Sequence, residues 1–291
     1  MMDFNKFFDD IKLGDTGRRY FEKIEAKRMS EPKFATAMER CFDEFYSYEK
    51  CKRGVLFSEC LEKIADEEGL IAEELNFYVC LCCSDRIVEE YKAMGLDLNL
   101  FYATVNREIV QECELNYDES GIYGIPAYKR RWTRRAIHCK LFKIGRLTYE
   151  IAESKHEVKI GDIEVKVGDP CLSVHIPKGN FDEAACEESY AMAREFYSSK
   201  FGLNPVVFFC YSWLLQPWLL DVLPSDSNIA KFQKKYKSLD FVEDPGDVIR
   251  WVYPQACENA EDYPEDTSIQ RATKKRLLNG EIIGYGVGVR L

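Results

Sequence analysis

The sequence has no hydrophobic run long enough to cross a membrane and no N-terminal segment of the kind that directs secretion. Its longest apolar stretch, residues 211–223, is shorter than the roughly 20 residues that a membrane-spanning helix needs, and Pro217 interrupts it. The N-terminal residues are acidic and aromatic, without a basic start followed by an apolar run. We therefore expect a cytoplasmic protein that does not bind membranes.

Basic residues are fewer than acidic ones, and histidines are scarce. The 291 residues include 40 Lys and Arg against 50 Asp and Glu, which gives a formal net charge of −10, and only 3 His. An acidic chain repels nucleic acid unless its basic residues cluster, so nucleic acid is not expected as a partner. The one dense basic cluster, Lys129 to Arg131 with Arg134 and Arg135, is interpreted as a solvated surface.

The 12 cysteines show no spacing typical of a structural metal site. Cys80 and Cys83 form a CxxC pair, but no second Cys or His pair lies at a matching distance along the chain. The cysteines are scattered through apolar patterns, as in proteins of a reducing compartment. We expect free thiols and no metal.

Hydrophobic residues make up 46% of the chain, enough to bury the cores of two domains. Apolar residues recur at helical spacing in the first part and predict helices at about 34–48, 58–68, 72–94 and 98–115. Ser30 and Pro32 mark the start of the first of these. The 72–94 helix is apolar on more than one face and is expected to be central. Gly121, Gly124 and Pro126 then interrupt the pattern, which places a domain boundary between residues 128 and 129.

After that point the period changes to two. A hairpin is predicted from 137–142 and 147–151, followed by strands at 172–176, 205–213, 248–253 and 281–290, with helices at 181–201, 229–236 and 269–278. This order predicts an all-helical N-terminal domain, residues 1–128, followed by an α/β domain with a mixed sheet and flanking helices, residues 129–291.

The segment that joins the 172–176 strand to the next helix is a candidate anion site. Asn180 and Glu183 have the spacing of a capping box, and Gly179 frees the backbone to approach a ligand. Lys178 adds a positive charge next to the unpaired N–H groups of the helix. A well-capped helix that binds nothing is the alternative, and Asp182 would compete with an anion.

Three motifs in this order resemble one family. They are Leu141-Phe-Lys-Ile-Gly-Arg-Leu-Thr-Tyr-Glu150, Val174-His-Ile-Pro-Lys-Gly-Asn180, and Ser212-Trp-Leu-Leu-Gln-Pro217 with Leu223-Pro-Ser-Asp-Ser-Asn-Ile229. The C-terminal half resembles the GNAT-like domain of bacterial acyltransferase-domain proteins, and the helical half resembles the N-terminal domain paired with it. The resemblance implies an N-acyltransferase fold in which two parallel strands splay apart and acyl-CoA, or an acyl-phosphopantetheine arm, lies between them.

The resemblance also implies where the donor's pyrophosphate binds. By position, residues 172–176 and 206–213 are the two splayed strands, and Ile176, Lys178, Gly179 and Asn180 form the pyrophosphate turn. It gives the basic cluster at residues 129–135 an alternative role, as a contact for the phosphates of CoA or for an acidic acyl-carrier protein.

Acyl transfer to an amine needs a base, and it sometimes uses a nucleophile that carries the acyl group. His175, at the end of the first splayed strand, and Glu150, at the end of a hairpin strand, are the candidate bases. Cys210 and Ser212 share a face of the second strand and converge with His175 if the facing sides meet. The alternatives are a capping histidine, a solvated carboxylate, a cysteine packed in the core, and a serine without the glycine-flanked elbow of a hydrolase.

The leading hypothesis is therefore an N-acyltransferase without a metal that moves an acyl group from acyl-CoA or an acyl-carrier protein to a small-molecule amine. A non-enzymatic module that keeps the fold and binds a ligand or protein is the second hypothesis. A thioesterase or acyl relay through Cys210 is the third.

Overall fold

A computed structural model describes residues 3–47, 55–177, 179, 181–253 and 255–291. The chain forms two compact units, Met1–Lys143 and Ile144–Leu291, and the division falls within strand β1 (Leu141–Ile144). The first unit is helical and the second contains a mixed sheet with flanking helices, so the predicted fold class is confirmed. The boundary at 128/129 stays a prediction, and the helix 130–137 lies in the first compact unit.

The helices of the first unit are, in chain order, α1 (Phe4–Asp10), α2 (Asp15–Ser30), α3 (Pro32–Tyr46), α4 (Val55–Glu68), α5 (Ala72–Ala93), α6 (Leu98–Val105), α7 (Gln111–Ser120) and α8 (Arg130–Ile137). Most residues of α5 are buried, which confirms its predicted central position. Pro32 is the first residue of α3, as expected, but Ser30 is the last residue of α2, and Glu31 precedes the helix.

The predicted helix at 98–115 is interrupted. A π-helical turn, Asn106–Val110, separates α6 from α7. The side chain of Asn106 donates a hydrogen bond to the carbonyl oxygen of Ile11 at 2.7 Å, which ties this turn to the end of α1. Single π-turns of this kind break the regular face of a helix, which is why the apolar periodicity alone predicted one continuous helix.

The C-terminal end of α3 is held by Arg134 of α8 and by His138, the residue after that helix, and here the interpretation of the basic cluster is wrong in part. Arg134 is 1% exposed, and its Nη2 donates to the carbonyl oxygens of Glu44 and Phe45 at 3.0 and 2.8 Å. His138 Nε2 lies 3.0 Å from the same Phe45 oxygen. The last carbonyls of a helix have no partner within it, and a buried guanidinium supplies one. Arg130 is buried as well, whereas Arg131 is exposed.

The second unit continues from Ile144 with strands and helices. These are β2 (Leu147–Glu153), β3 (Val158–Ile160), β4 (Ile163–Val165), β5 (Pro170–His175), α9 (Glu183–Phe201), β6 (Phe208–Ser212), α10 (Leu219–Val222), α11 (Asn228–Lys234), β7 (Lys237–Glu243), α12 (Pro245–Val252), α13 (Ser268–Leu278) and β8 (Gly284–Arg290). The strands of this unit form a mixed sheet in the order β2-β5-β6-β8-β7, and β3 and β4 form a separate two-stranded hairpin.

Two segments differ from the sequence-based prediction. The predicted strand at 248–253 is part of helix α12, because Asp244 caps its N-terminus by accepting from Asp247 N and Pro245 occupies the first helical position. Strand β7, which was not predicted, alternates polar and apolar residues at the sheet edge and contains a bulge between Ser238 and Asp240.

The sheet of the second unit is covered on both faces. Helix α9 packs on one face through tyrosines, with the ring of Tyr190 5.0 Å from that of Phe208 and 6.0 Å from that of Tyr149. The β3–β4 hairpin packs on the other face around Phe209 and Val289. Gln216, after β6, is fully buried and accepts from Gly284 N at 3.0 Å, which joins the chain after β6 to the start of β8.

Replacing Arg134 by methionine is expected to lower the free energy of unfolding by about 3 kcal/mol, because two carbonyl oxygens at the end of α3, one of them buried, lose a charged donor. Arg131→Met is the matched control and should change it by less than about 0.5 kcal/mol, because that side chain is exposed. Urea unfolding followed by far-ultraviolet circular dichroism measures both. Equal stabilities of the two variants would contradict the capping role.

Candidate active site

The parallel pair β5 and β6 opens before either strand ends. The register pairs Leu172 with Phe208, Ser173 with Phe209 and Val174 with Cys210, and goes no further in the described residues. Both strands continue on their outer sides, where His175 still pairs with Thr148 of β2 and Ser212 with Gly286 of β8. The two strands therefore diverge after Val174 and Cys210.

The register decides which side chains share a face. Paired residues of neighbouring strands project to the same side of a sheet, and successive residues alternate. His175 follows Val174 and so lies on the side opposite to Cys210. The predicted convergence of His175 with Cys210 and Ser212 is therefore wrong. The alternation along each strand is as predicted, but the register places His175 on the opposite face of the sheet from Cys210 and Ser212.

The same rule brings Glu150 and His175 together. Glu150 pairs with Ser173 and Thr148 with His175, so all four project to one face. Glu150 Oε2 lies 3.6 Å from His175 Nε2, and the two side chains are 13% and 29% exposed. The two candidate bases are thus neighbours with partly exposed side chains at the point where the strands diverge, and the His175 Nε2 atom that faces Glu150 is itself buried.

Cys210 lies in the core under α9. It is fully buried, and burial raises the pKa of its thiol to about 12 although the Tyr236 hydroxyl bonds it. A nucleophilic cysteine needs the opposite, a lowered pKa and access to substrate. The environment of Cys210 is that of a core residue.

Ser212 has a structural partner. Its side chain accepts a hydrogen bond from Leu214 N at 3.1 Å and caps the 3₁₀ turn Trp213–Leu215 that follows β6. The hydroxyl lies at the end of the strand on the Cys210 side of the sheet, and its cap contact explains a serine at this position.

The turn after β5 is described in part. Ile176 and Pro177 are partly buried, Gly179 is exposed with a φ of +112°, and the predicted ligands Lys178 and Asn180 lie outside the described residues. This backbone conformation suits glycine, and the role of Gly179 in approaching a ligand stays a prediction. The helix cap differs from the prediction: Asp182 precedes α9 and accepts from Ala184 N at 3.0 Å.

A residue that the sequence did not mark as functional contacts this turn. Arg146, in the tight turn between β1 and β2, donates from Nη2 to the carbonyl oxygen of Pro177 at 2.8 Å. Burial raises the pKa of the Cys186 thiol to about 11, and the charge of Arg146 acts against that shift. Arg146 thus places a positive charge near the first turns of α9. No local sequence signal indicates it, because 31 residues separate Arg146 from Pro177.

The described residues contain no group of three or more His, Cys, Asp or Glu side chains arranged to hold a metal ion. None of the helices in the described ranges combines the length and the apolar character that crossing a membrane requires.

Comparison with protein families gives two matches that together span almost the entire chain. Residues 2–139 match the N-acyltransferase N-terminal domain, and residues 141–290 match the GNAT-like C-terminal domain. The comparison with curated protein sequences gives no match.

Solved structures with the same fold are acyltransferases. The crystal structure of an acyltransferase in complex with decanoyl-CoA and teicoplanin is 19% identical, with a TM-score of 0.77 over 98% of this chain and 86% of that chain. An acyltransferase mutant in complex with octanoyl-CoA is 18% identical, with a TM-score of 0.76 and the same coverage of both chains. An acyltransferase in complex with CoA and 10C-teicoplanin is 20% identical, with a TM-score of 0.71 over 96% of this chain and 88% of that chain. At these identities the likeness establishes the fold.

Cys210 is expected to resist alkylation in the native protein, because the thiolate is the reactive form. Cys60 is the matched comparison: a hydrogen bond from the Cys41 thiol lowers its pKa to about 7, and its side chain is partly exposed. Brief treatment with iodoacetamide at neutral pH, followed by peptide mass spectrometry, should label Cys60 well before Cys210. Labelling of the two at similar rates would restore Cys210 as a candidate nucleophile.

Proposed function

The chain belongs to the family that joins an N-acyltransferase N-terminal domain to a GNAT-like C-terminal domain, and we propose that it transfers an acyl group from a pantetheine thioester to an amine. The observation that carries this proposal is the divergence of β5 and β6 after Val174 and Cys210. A fully paired sheet would leave no space for a donor at this position.

The proposed donor is acyl-CoA. Where two parallel strands part, backbone groups of the strands turn towards the gap, and an extended arm with its own amides can pair with them as an added strand does. The pantetheine arm of CoA has such amides. Structures of the same fold hold octanoyl-CoA and decanoyl-CoA, which supports donors with chains of medium length. An acyl-carrier protein would present the same arm and is the alternative donor.

The pyrophosphate of the donor is proposed to bind at the turn that contains Ile176, Lys178, Gly179 and Asn180. In support, Gly179 has the backbone conformation of an open turn, and helix α9 begins just after it at Glu183. Arg146 adds a positive charge on the hairpin side, which offsets the acidic residues Asp182 and Glu183.

The proposed acceptor is a small-molecule amine. Two of the similar structures contain teicoplanin or an acylated form of it, so an amine on a larger natural product is one class to test. The proposal includes a cytoplasmic setting, in keeping with the free thiols of the described cysteines.

In the proposed reaction the amine nitrogen attacks the thioester carbonyl carbon. A C–N bond forms, the C–S bond breaks, and the thiolate leaves and takes up a proton from solvent. The proton released by the attacking nitrogen passes to the Glu150–His175 pair. Either His175 accepts it while Glu150 stabilises the imidazolium, or Glu150 accepts it while His175 orients the carboxylate. No acyl-enzyme at Cys210 is needed.

Octanoyl-CoA and decanoyl-CoA are expected to stabilise the protein, because a ligand that binds only the folded state adds about 2.7 kcal/mol at one hundred times its Kd. Differential scanning fluorimetry measures the shift in Tm, with free octanoate as the control. Turnover follows from CoA thiol release in the presence of a panel of amines. A protein that responds to no acyl-CoA and to no acyl-carrier protein is not an acyltransferase of this kind, and binding without turnover with any amine favours the non-enzymatic module.

Glu150→Gln and His175→Asn are each expected to lower kcat/KM by a factor of about 10² to 10⁴, the usual size of a general-base contribution. The double variant should be no slower than the slower single variant, because the two groups act as a unit. Steady-state kinetics with octanoyl-CoA tests this, with Glu153→Gln as the control from the same strand, where the side chain is exposed. Near-normal rates in both single variants would remove the pair from the mechanism.

A further inference from the structure

A buried serine of α9 holds the hairpin turn that contains Arg146. Ser189 is fully buried, and its hydroxyl donates to the carbonyl oxygen of Ile144 and accepts from Leu147 N at 3.1 Å. These two backbone groups flank Gly145 and Arg146. The Tyr149 hydroxyl, 2.9 Å from the Ser189 oxygen, completes the set. One hydroxyl thus binds both sides of the turn and leaves it little freedom.

The helix also approaches this turn closely. Gly145 has a φ of +59°, and a Cβ atom there would lie 3.1 Å from the Cα and Cβ atoms of Ser189. A larger residue would push the hairpin turn away from α9. Glycine at position 145 and serine at position 189 therefore act together to hold the base of the Arg146 side chain at a set distance from the helix.

From this fixed base Arg146 extends to the other loop. Its guanidinium donates to the Pro177 carbonyl oxygen at 2.8 Å, in the turn that follows β5. Pro177 lies two residues after the end of β5 and two residues before Gly179. The contacts form one chain: Ser189 holds the hairpin turn, the hairpin turn holds Arg146, and Arg146 holds the Pro177 carbonyl.

We propose that Arg146 is a positioning residue for the donor's pyrophosphate, acting through the Pro177 carbonyl, with Ser189 as its support. The inference rests on the proposed function. A peptide carbonyl oxygen carries a partial negative charge and repels a diphosphate, so a turn that binds a diphosphate is expected to direct that oxygen elsewhere. The bond from Arg146 does this, and the guanidinium also adds a positive charge to a turn whose helix begins with Asp182 and Glu183.

The inference separates two parts of the donor. A positioning role at the turn affects only donors that have the pyrophosphate. Octanoyl-pantetheine keeps the thioester and the pantetheine amides and lacks the pyrophosphate and nucleotide. Its Kd should therefore be the same whether or not Arg146 is present.

The test compares Arg146→Gln, Arg146→Lys and Ser189→Ala by isothermal titration with CoA, octanoyl-CoA and octanoyl-pantetheine. Arg146→Gln should raise the Kd for CoA and octanoyl-CoA about tenfold, the size of one lost charge-assisted hydrogen bond. It should leave the Kd for octanoyl-pantetheine and the kcat at saturating octanoyl-CoA within about twofold. Arg146→Lys, which keeps the charge and one donor, should restore most of the binding. Ser189→Ala should weaken CoA binding without any change of charge, which separates positioning from simple attraction.

Two variants of the same helix serve as controls. Arg194→Gln removes a positive charge and Ser199→Ala removes a hydroxyl from exposed positions of α9, and both should bind CoA as the unmodified protein does. Circular dichroism checks that each variant is folded. If Ser189→Ala does not fold, the Arg146 variants alone decide the result.

The outcomes distinguish this inference from the proposed function. If the unmodified protein binds octanoyl-CoA and Arg146→Gln binds it equally well, the inference is wrong and the proposed function stands. An equal loss of octanoyl-CoA and octanoyl-pantetheine also overturns it, because Arg146 would then support the whole site. If the unmodified protein binds none of the three probes, acyl-CoA is not its donor: the inference then fails, and the proposed function stands only with an acyl-carrier protein as the donor.

Discussion

The parallel pairing of β5 with β6 is the constraint on which the candidate site depends. It extends over three residue pairs and stops at Val174 and Cys210, while β2 and β8 continue to hold the outer edges of the two strands. Because each strand keeps its outer partner, both strands stay hydrogen-bonded beyond the point where their pairing with each other stops. The sheet stays ordered on both sides of an opening in its middle, and such an opening can accept an extended ligand.

The register of that pairing also decides which candidate functional side chains lie on each face of the sheet. Glu150 and His175 project to one face, where they remain partly exposed, and Cys210 projects to the face that α9 covers. A shift of one residue in the register of β6 against β5 would instead place Cys210 on the same face as His175. The groups that we propose for proton transfer at the gap are therefore a carboxylate and an imidazole. The thiol is kept in the core, where burial raises its pKa.

Several buried polar groups of the second unit form hydrogen bonds that connect its layers. Ser189 satisfies two backbone groups of the hairpin turn and bonds the Tyr149 hydroxyl, and the Tyr197 hydroxyl donates to the Tyr149 carbonyl oxygen at 3.1 Å. In the first unit, Arg134 likewise donates a hydrogen bond to a buried carbonyl oxygen at the end of α3. Removing any one of these hydrogen bonds lowers the free energy of unfolding, since a buried group left without a partner loses its hydration as well as its bond. They orient loops and helix ends that apolar packing alone leaves free to slide.

The sequence by itself determined the division into a helical part and a mixed-sheet part, the central helix α5, the strands on either side of the gap, and the turn at Gly179. These features follow from the sequence because hydrophobic periodicity, and the backbone conformations that glycine and proline favour, depend only on a few neighbouring residues. It did not determine which strand faces meet, that 248–253 is helical, that Arg134 is buried, or that Arg146 contacts Pro177. Alternation states which residues of one strand share a face, but the register with the next strand is set by the crossover through α9 and by packing. Only the tertiary structure decided that His175 meets Glu150 and not Cys210, because contacts between residues far apart in the chain leave no periodic mark on the sequence.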